Sequence, residues 1–307
     1  MKKEWLAQDW TQGELNALLK KLGEENARQL MSGDLVLKTG EGGAELVKAV
    51  KKLFDKNGRR IPPKGLEAAV CDPDRDICFK QLDSDYGSRY AHYCEFSGHP
   101  DISPEEFQRR SEELIASLKA DEQLANLLKG VCLPILVPKL ANGFDYGQVM
   151  EEGLRVVEKA YCRAFPDREF CDCLKGELAG KVKVAHPSHE MLIKISMNEP
   201  RVGLYFPNPL QGFSVKAARA QMSDLPMELS LSGGLDTMVA MAMYPDVLAR
   251  DHQTPGLDMA ALSWGSSGDL LEDSLGFKAE DAYLYFARGA SLSIASGCDS
   301  AGLLFLG

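Results

Sequence analysis

The sequence predicts an α+β protein: a mainly α-helical N-terminal module, residues 1–180, followed by a mixed domain with little regular structure, residues 181–307. Three observations carry this. Apolar residues recur at helical spacing behind recognisable caps up to about residue 180. The texture then changes to short alternating runs separated by Gly, Ser, Asp and Pro. At 307 residues and 45% hydrophobic content, the chain is also long enough to bury a sizeable core and to divide into two domains.

The first helix follows Thr11, with Glu14 three residues into the turn and Leu15, Leu18, Leu19 and Leu22 on one stripe. Gly40 to Gly43 and Asp72 to Gly98 read as loops. Ser103-Pro104-Glu105-Glu106 supplies an N-cap, a proline at the first helical position and two carboxylates at the positive end of the dipole, ahead of Phe107, Leu114, Ile115 and Leu118. A third helix spans Tyr146 to Phe165 and is stopped by Pro166. Beyond Gly180, where the domain boundary is expected, Lys181 to Ala185 alternates like a strand. A helix (His189 to Met197), a strand (Arg201 to Phe206), a loop marked by Pro207, Pro209 and Gly212, a strand (Met227 to Leu231) and a helix (Asp236 to Tyr244) follow.

The formal charge of −10 and pI near 5.1 argue against a phosphate-neutralising surface, so nucleic acid is not an expected partner. About half of that charge lies between His252 and Gly307, where Asp258, Asp269, Glu272, Asp273, Glu280, Asp281 and Asp299 face only Lys278 and Arg288. The N-terminus has no apolar signal region. The longest apolar run, near Val131 to Val137, is broken by Pro134 and too short to span a bilayer. A cytoplasmic protein at synthesis, without membrane insertion, is therefore expected. The eight cysteines are expected to be reduced thiols.

Ser232-Gly233-Gly234-Leu235-Asp236-Thr237 resembles the SGGxD(S/T) loop of ATP pyrophosphatases, most closely the argininosuccinate synthase version. That resemblance implies an AMP-forming enzyme, with glycine amides and a helix N-terminus cradling phosphate. The alternative is a tight turn at Gly233-Gly234 with Asp236 capping the next helix. Too few residues follow for the further βα units such a domain needs. Cys71, Cys78, His92, Cys94 and His99 lack zinc-ligand spacing, and Cys171-x-Cys173 thiols would not share a helix face. His186 and His189-Glu190 read as a loop histidine and a helix start with Ser188 as cap. No catalytic residue, cofactor site or metal site is assigned.

The tail carries the least expected pattern. From Asp281 to Gly307 there is no Lys, Glu, Gln, Met or Trp. Codons for those five end in a purine, whereas every residue present can be encoded with a pyrimidine third base; randomising adenine-rich AAY codons would yield this alphabet. Here the chain resembles the variable proteins of diversity-generating retroelements. The resemblance implies that residues 181–307 form a C-type-lectin-like domain, that a variable region of about 265–307 forms its ligand-binding face, and that the function is non-enzymatic binding of a protein or other polar surface ligand. Ser266, Ser267, Asp269, Tyr283, Tyr285, Arg288, Ser291, Ser293, Ser296, Asp299 and Ser300 are the candidate contacts, with Trp264 a framework anchor. Alternation would turn Tyr283 and Tyr285 outward and Leu284 and Phe286 inward, and the acidic surroundings favour a basic or polar ligand. The other reading of the tail is an ordinary β-region rich in small residues.

Overall fold

A computed structural model describes residues 11–32, 35–40, 43–48, 52–82, 85–98, 100–265, 273–289 and 291–307. Its architecture is mixed α and β: 38% of the described residues are helical and 20% strand. It separates into two units, residues 1–52 and 53–307.

In the first unit, α1 (Gln12–Leu22) and α2 (Glu24–Ser32) are joined at Gly23, whose φ of 78° is left-handed. An antiparallel pair follows, β1 (Leu35–Gly40) and β2 (Gly43–Lys48), in register from Leu35 opposite Lys48 to Gly40 opposite Gly43.

The second unit begins with α3 (Tyr86–Ser97), α4 (Pro104–Ala120), β3 (Leu133–Val137), α5 (Tyr146–Ala164) and β4 (Glu169–Asp172). Next come β5 (Val182–Val184), α6 (Pro187–Ser196), β6 (Arg201–Phe206), α7 (Val215–Ala220), β7 (Leu229–Leu231), α8 (Gly234–Met243) and α9 (Pro245–Leu248). The last strands are β8 (Gly256–Asp258), β9 (Leu262–Trp264), β10 (Leu275–Ala279), β11 (Tyr283–Arg288), β12 (Asp299–Ala301) and β13 (Leu303–Phe305). One sheet has the order β3-β6-β13-β7 and is antiparallel throughout. Another has the order β12-β8-β10-β11-β4, parallel at each outer pair and antiparallel between. A short antiparallel pair joins β5 to β9.

The boundary expected near Gly180 falls inside the second unit. Strand β3 pairs with β6 and β4 pairs with β11, so each large sheet takes strands from both sides of Gly180. The physical reason is the stripe of α5. Met150, Leu154, Val157 and Tyr161 are buried, and the helix packs against α8, which comes later and is itself buried along its whole length. Each such side chain removed from water contributes about 1.5–3 kcal/mol, and a helical module ending at residue 180 would leave that stripe uncovered.

The cap expected for α4 is present: Ser103 Oγ accepts from the Glu106 amide at 3.2 Å, and Pro104 opens the helix. The loop expected over residues 72–98 contains α3 instead. Asp85 caps it, accepting from the Gly87 amide at 3.2 Å, and the aromatic stripe Tyr86, Tyr90 and Tyr93 packs it on Phe107 and the core.

Candidate functional site

Strand β11 alternates as its sequence requires. Leu284 and Phe286 are 1% and 0% exposed, whereas Tyr283 is 38% exposed and Tyr285 half-buried. The pattern extends across the sheet, because residues in register share a face. Lys278 and Cys171 flank Tyr285, and Glu169 flanks Tyr283, while Phe277 and Phe170 lie with Phe286 and Leu284 toward the core. The tyrosine rings stand 5.6 Å apart at 35°, forming one aromatic surface. Beside it is a hollow of about 510 Å³ lined by His252, Thr254, Lys278, Glu280, Tyr283 and Cys298. At its rim His252 Nδ1 is 2.5 Å from Asp281 Oδ1.

Not every candidate contact joins this face. Arg288 stands an odd number of residues from both tyrosines and lies on the other side of the sheet. Its guanidinium is 5.1 Å from the Trp264 ring centroid and 3.6 Å from Asp273. Ser291 and Ser293 are exposed and Ser296 is half-buried in the loop after β11. Asp299 is half-buried beside Gly256, where a Cβ would lie 2.4 Å from Asp299 Oδ1. Ser300 does not serve as a surface contact: it is 0% exposed, and its hydroxyl donates to the Pro207 carbonyl at 2.6 Å. Parity explains it, since Ser300 pairs with the buried Leu257 on the inner face. Ser266, Ser267 and Asp269 lie outside the described residues. Trp264 is half-buried against the core edge, its indole N–H donating to the Glu177 carbonyl at 3.3 Å.

The SGGLDT segment has the expected strand–loop–helix setting, between β7 and α8. Its donors, however, are used internally. The Gly233 amide donates to Asp236 Oδ1 at 2.9 Å and the Leu235 amide to the Tyr146 hydroxyl at 3.1 Å. Asp236 thus caps its own helix, which starts at Gly234 rather than Thr237. Strand β7 is also an edge strand of an antiparallel sheet, not part of a parallel α/β layer. Ser232, Asp236, Thr237 and His189 are all 0% exposed.

That loop instead builds a buried polar cluster. The Tyr146 hydroxyl accepts from the Leu235 amide and is hydrogen-bonded to His189 Nε2 at 2.6 Å. On the other side of the ring His189 Nδ1 faces Asp236 Oδ1 at 3.9 Å, beyond hydrogen-bond reach. Gly233 lies against the imidazole: a Cβ there would be 2.5 Å from its ring atoms. Burial pushes His189 down to about 4 and Asp236 up to about 7, so the favoured state is a neutral imidazole beside a protonated carboxyl.

His186, not Ser188, caps α6: its Nδ1 accepts from the Ser188 amide at 3.2 Å. Ser188 Oγ accepts from the Leu231 amide at 2.9 Å, tying α6 to the strand that leads into the buried cluster. All eight cysteines are free thiols. Cys171 and Cys173 flank the end of a strand rather than sitting on a helix, and the Cys173 amide continues the ladder to Phe286 O at 3.0 Å, so the two thiols share the tyrosine face. Among the described residues no three His, Cys, Asp or Glu side chains gather as a metal site.

Comparisons with protein-family models, curated proteins and solved structures found no match to this chain. The tyrosine face was foreseeable from alternation alone. The roles of His189 and Tyr146 were not, because the residues that meet there come from three separate parts of the chain.

Proposed function

We propose that the chain is a ligand-binding protein, not an enzyme, whose binding face is the outer side of β11 with the adjoining hollow. In this reading the fold is C-type-lectin-like, drawing β3 and β4 from before residue 181, and a retroelement diversifies the region of about 265–307. One observation carries it. The segment with the restricted alphabet divides by exposure: Tyr283, beside a hollow, is exposed and Tyr285 half-buried on the outer face, while Leu284 and Phe286 hold the strand in the core. Rigid aromatics on a fixed strand, with serines in the neighbouring loop, give contact area at low entropic expense. Glu169, Glu280 and Asp281 around the tyrosines favour a basic or polar protein surface as ligand. The side chains of Ser232, Asp236, Thr237 and His189 in the SGGLDT cluster are enclosed and present no group to a ligand.

The DNA tests it. A neighbouring copy of the bases encoding the tail should differ at codons for Tyr283, Tyr285, Ser291, Ser293, Ser296 and Asp299. It should match at those for Leu284, Phe286, Ser300, Leu303, Leu304 and Phe305, which are buried. A tail with no second copy, or differences concentrated in the buried codons, overturns the reading.

A further inference from the structure

Ile77 lines the tyrosine hollow, and its neighbour Cys78 lines another, of about 350 Å³. Three cations border this second hollow, Arg59, Arg75 and Lys129, and no carboxylate does. Among the described residues none of the three makes an ion pair. The nearby carboxylates Asp55 and Asp74 are turned to the backbone of their own turns: Asp55 Oδ1 accepts from the amides of Asn57 and Arg59 at 2.8 and 2.9 Å, and Asp74 Oδ1 from the Asp76 amide at 2.9 Å. In a chain of charge −10, three cations lining one hollow without a carboxylate concentrate positive charge at that surface.

The hollow is held open by two buried amides. Asn208, 9% exposed, accepts from the Val131 amide at 3.1 Å and donates to the Asn57 carbonyl at 3.4 Å. Gln211, 3% exposed, donates to the carbonyls of Ile77 and Gly297 at 2.8 and 2.9 Å and accepts from Arg59 Nη2 at 3.3 Å. The turn carrying Arg59 presses on the segment after Lys129 through Gly58, at φ 76°, where a Cβ would lie 2.6 Å from the Gly130 nitrogen. Three separate segments are thereby fixed around one space, with Arg59 oriented before any ligand arrives.

We propose that this hollow binds a small phosphate monoester. Three cations exceed what a single carboxylate can neutralise and suit a dianion, and the guanidinium of Arg59 offers paired donors matched to phosphate oxygens. The volume is that of a small organic ligand rather than a lone phosphate ion, and the buried ring of Phe79 supplies an apolar wall for the esterified group. The site uses no residue of the tyrosine face and stands whether or not that face binds a ligand.

Titration calorimetry of the full chain at constant ionic strength tests it, with phenyl phosphate, inorganic phosphate and acetate as probes. Phenyl phosphate should bind more tightly than inorganic phosphate, and acetate least. Affinity should fall about fourfold from pH 7.5 to 5.5 as the dianion gains a proton. Arg59→Gln should weaken phenyl phosphate binding about tenfold, the loss of a charged hydrogen bond, and Lys129→Gln about two- to threefold. Arg75→Gln/Lys129→Gln alters only exposed side chains and covers the case in which the Arg59 variant unfolds. Equal binding of acetate and phenyl phosphate, or unchanged binding by that double variant, would overturn the assignment. So would loss of phosphate binding in Tyr283→Ala/Tyr285→Ala, which would place the anion in the tyrosine hollow.

Discussion

Replacing Asp236 by Asn should change how stability depends on pH, in a direction fixed by the buried cluster. In the folded chain Asp236 sits near 7, against an ordinary value of 3.8, and His189 sits near 4, against 6.5. Between about pH 4 and 6.5 the unfolded chain holds one proton on His189 and none on Asp236, while the folded chain holds one on Asp236 and none on His189. The proton counts are equal, so the pair adds no pH dependence there even though each group alone would. In Asp236→Asn only the histidine is left. A raised carboxyl contributes stability that is complete below 3.8 and lost as pH climbs to about 7. The unfolding free energy of the variant minus that of the parent should therefore rise by about 4 kcal/mol between about pH 4 and pH 8. Urea unfolding of both proteins at each pH measures the difference and cancels titrations elsewhere in the chain. A difference that falls with rising pH would mean that Asp236 is ionised and paired with an imidazolium, and a flat one that the Asp236 carboxyl is unperturbed; either result refutes the neutral cluster.

The converse variant, His189→Asn, should gain on the parent by about 3 kcal/mol as pH drops from about 7 to 4, read from the same urea series. Leu284→Ala and Phe286→Ala should each cost about 3–5 kcal/mol, whereas Tyr283→Ala and Tyr285→Ala should leave the thermal midpoint within a few degrees of the parent's. Gly147→Ala should cost about 1–3 kcal/mol, because the added Cβ would lie 2.0 Å from the Leu178 carbonyl oxygen and α5 would have to shift. Asp224→Asn should cost about 3 kcal/mol: it strands Arg60, whose side chain is 1% exposed and 2.5 Å from the Asp224 carboxylate. Urea midpoints at neutral pH check both.

Local signals in the sequence transferred well. Ser103-Pro104 opens a helix, the alternation at Lys181 is a strand, and the Tyr-Leu-Tyr-Phe run has the faces its period requires. What failed was the inference from texture to domain. Strand β3 contains Pro134, is buried at every position and so shows no alternation, and its partner β6 lies beyond Gly180. Helix α3 was hidden by aromatics, which favour strands, and by Gly87 and Ser88 in its first turn. At the candidate site, Tyr283 and Tyr285 were readable because one strand sets both. Arg288 and Ser300 were misplaced because parity was not followed to the strand's end or into the next strand. The cationic hollow had no sequence signal, since Arg59, Arg75 and Lys129 lie on segments joined by long-range contacts such as those of Asn208 and Gln211.

Strand β13 lies between β6 and β7, so residues 303–305 occupy an interior position of a sheet whose other strands are made earlier. While the ribosome is still translating the tail, β6 and β7 each present an unpaired inner edge, and neither can close onto the other without the missing strand. A frameshift or stop codon upstream of Leu303 therefore yields a chain with two open edges for chaperones and proteases to find. A change in the preceding codons leaves this sheet intact only if it keeps the reading frame to Phe305, because among the described residues β6 and β7 have no other strand to join them.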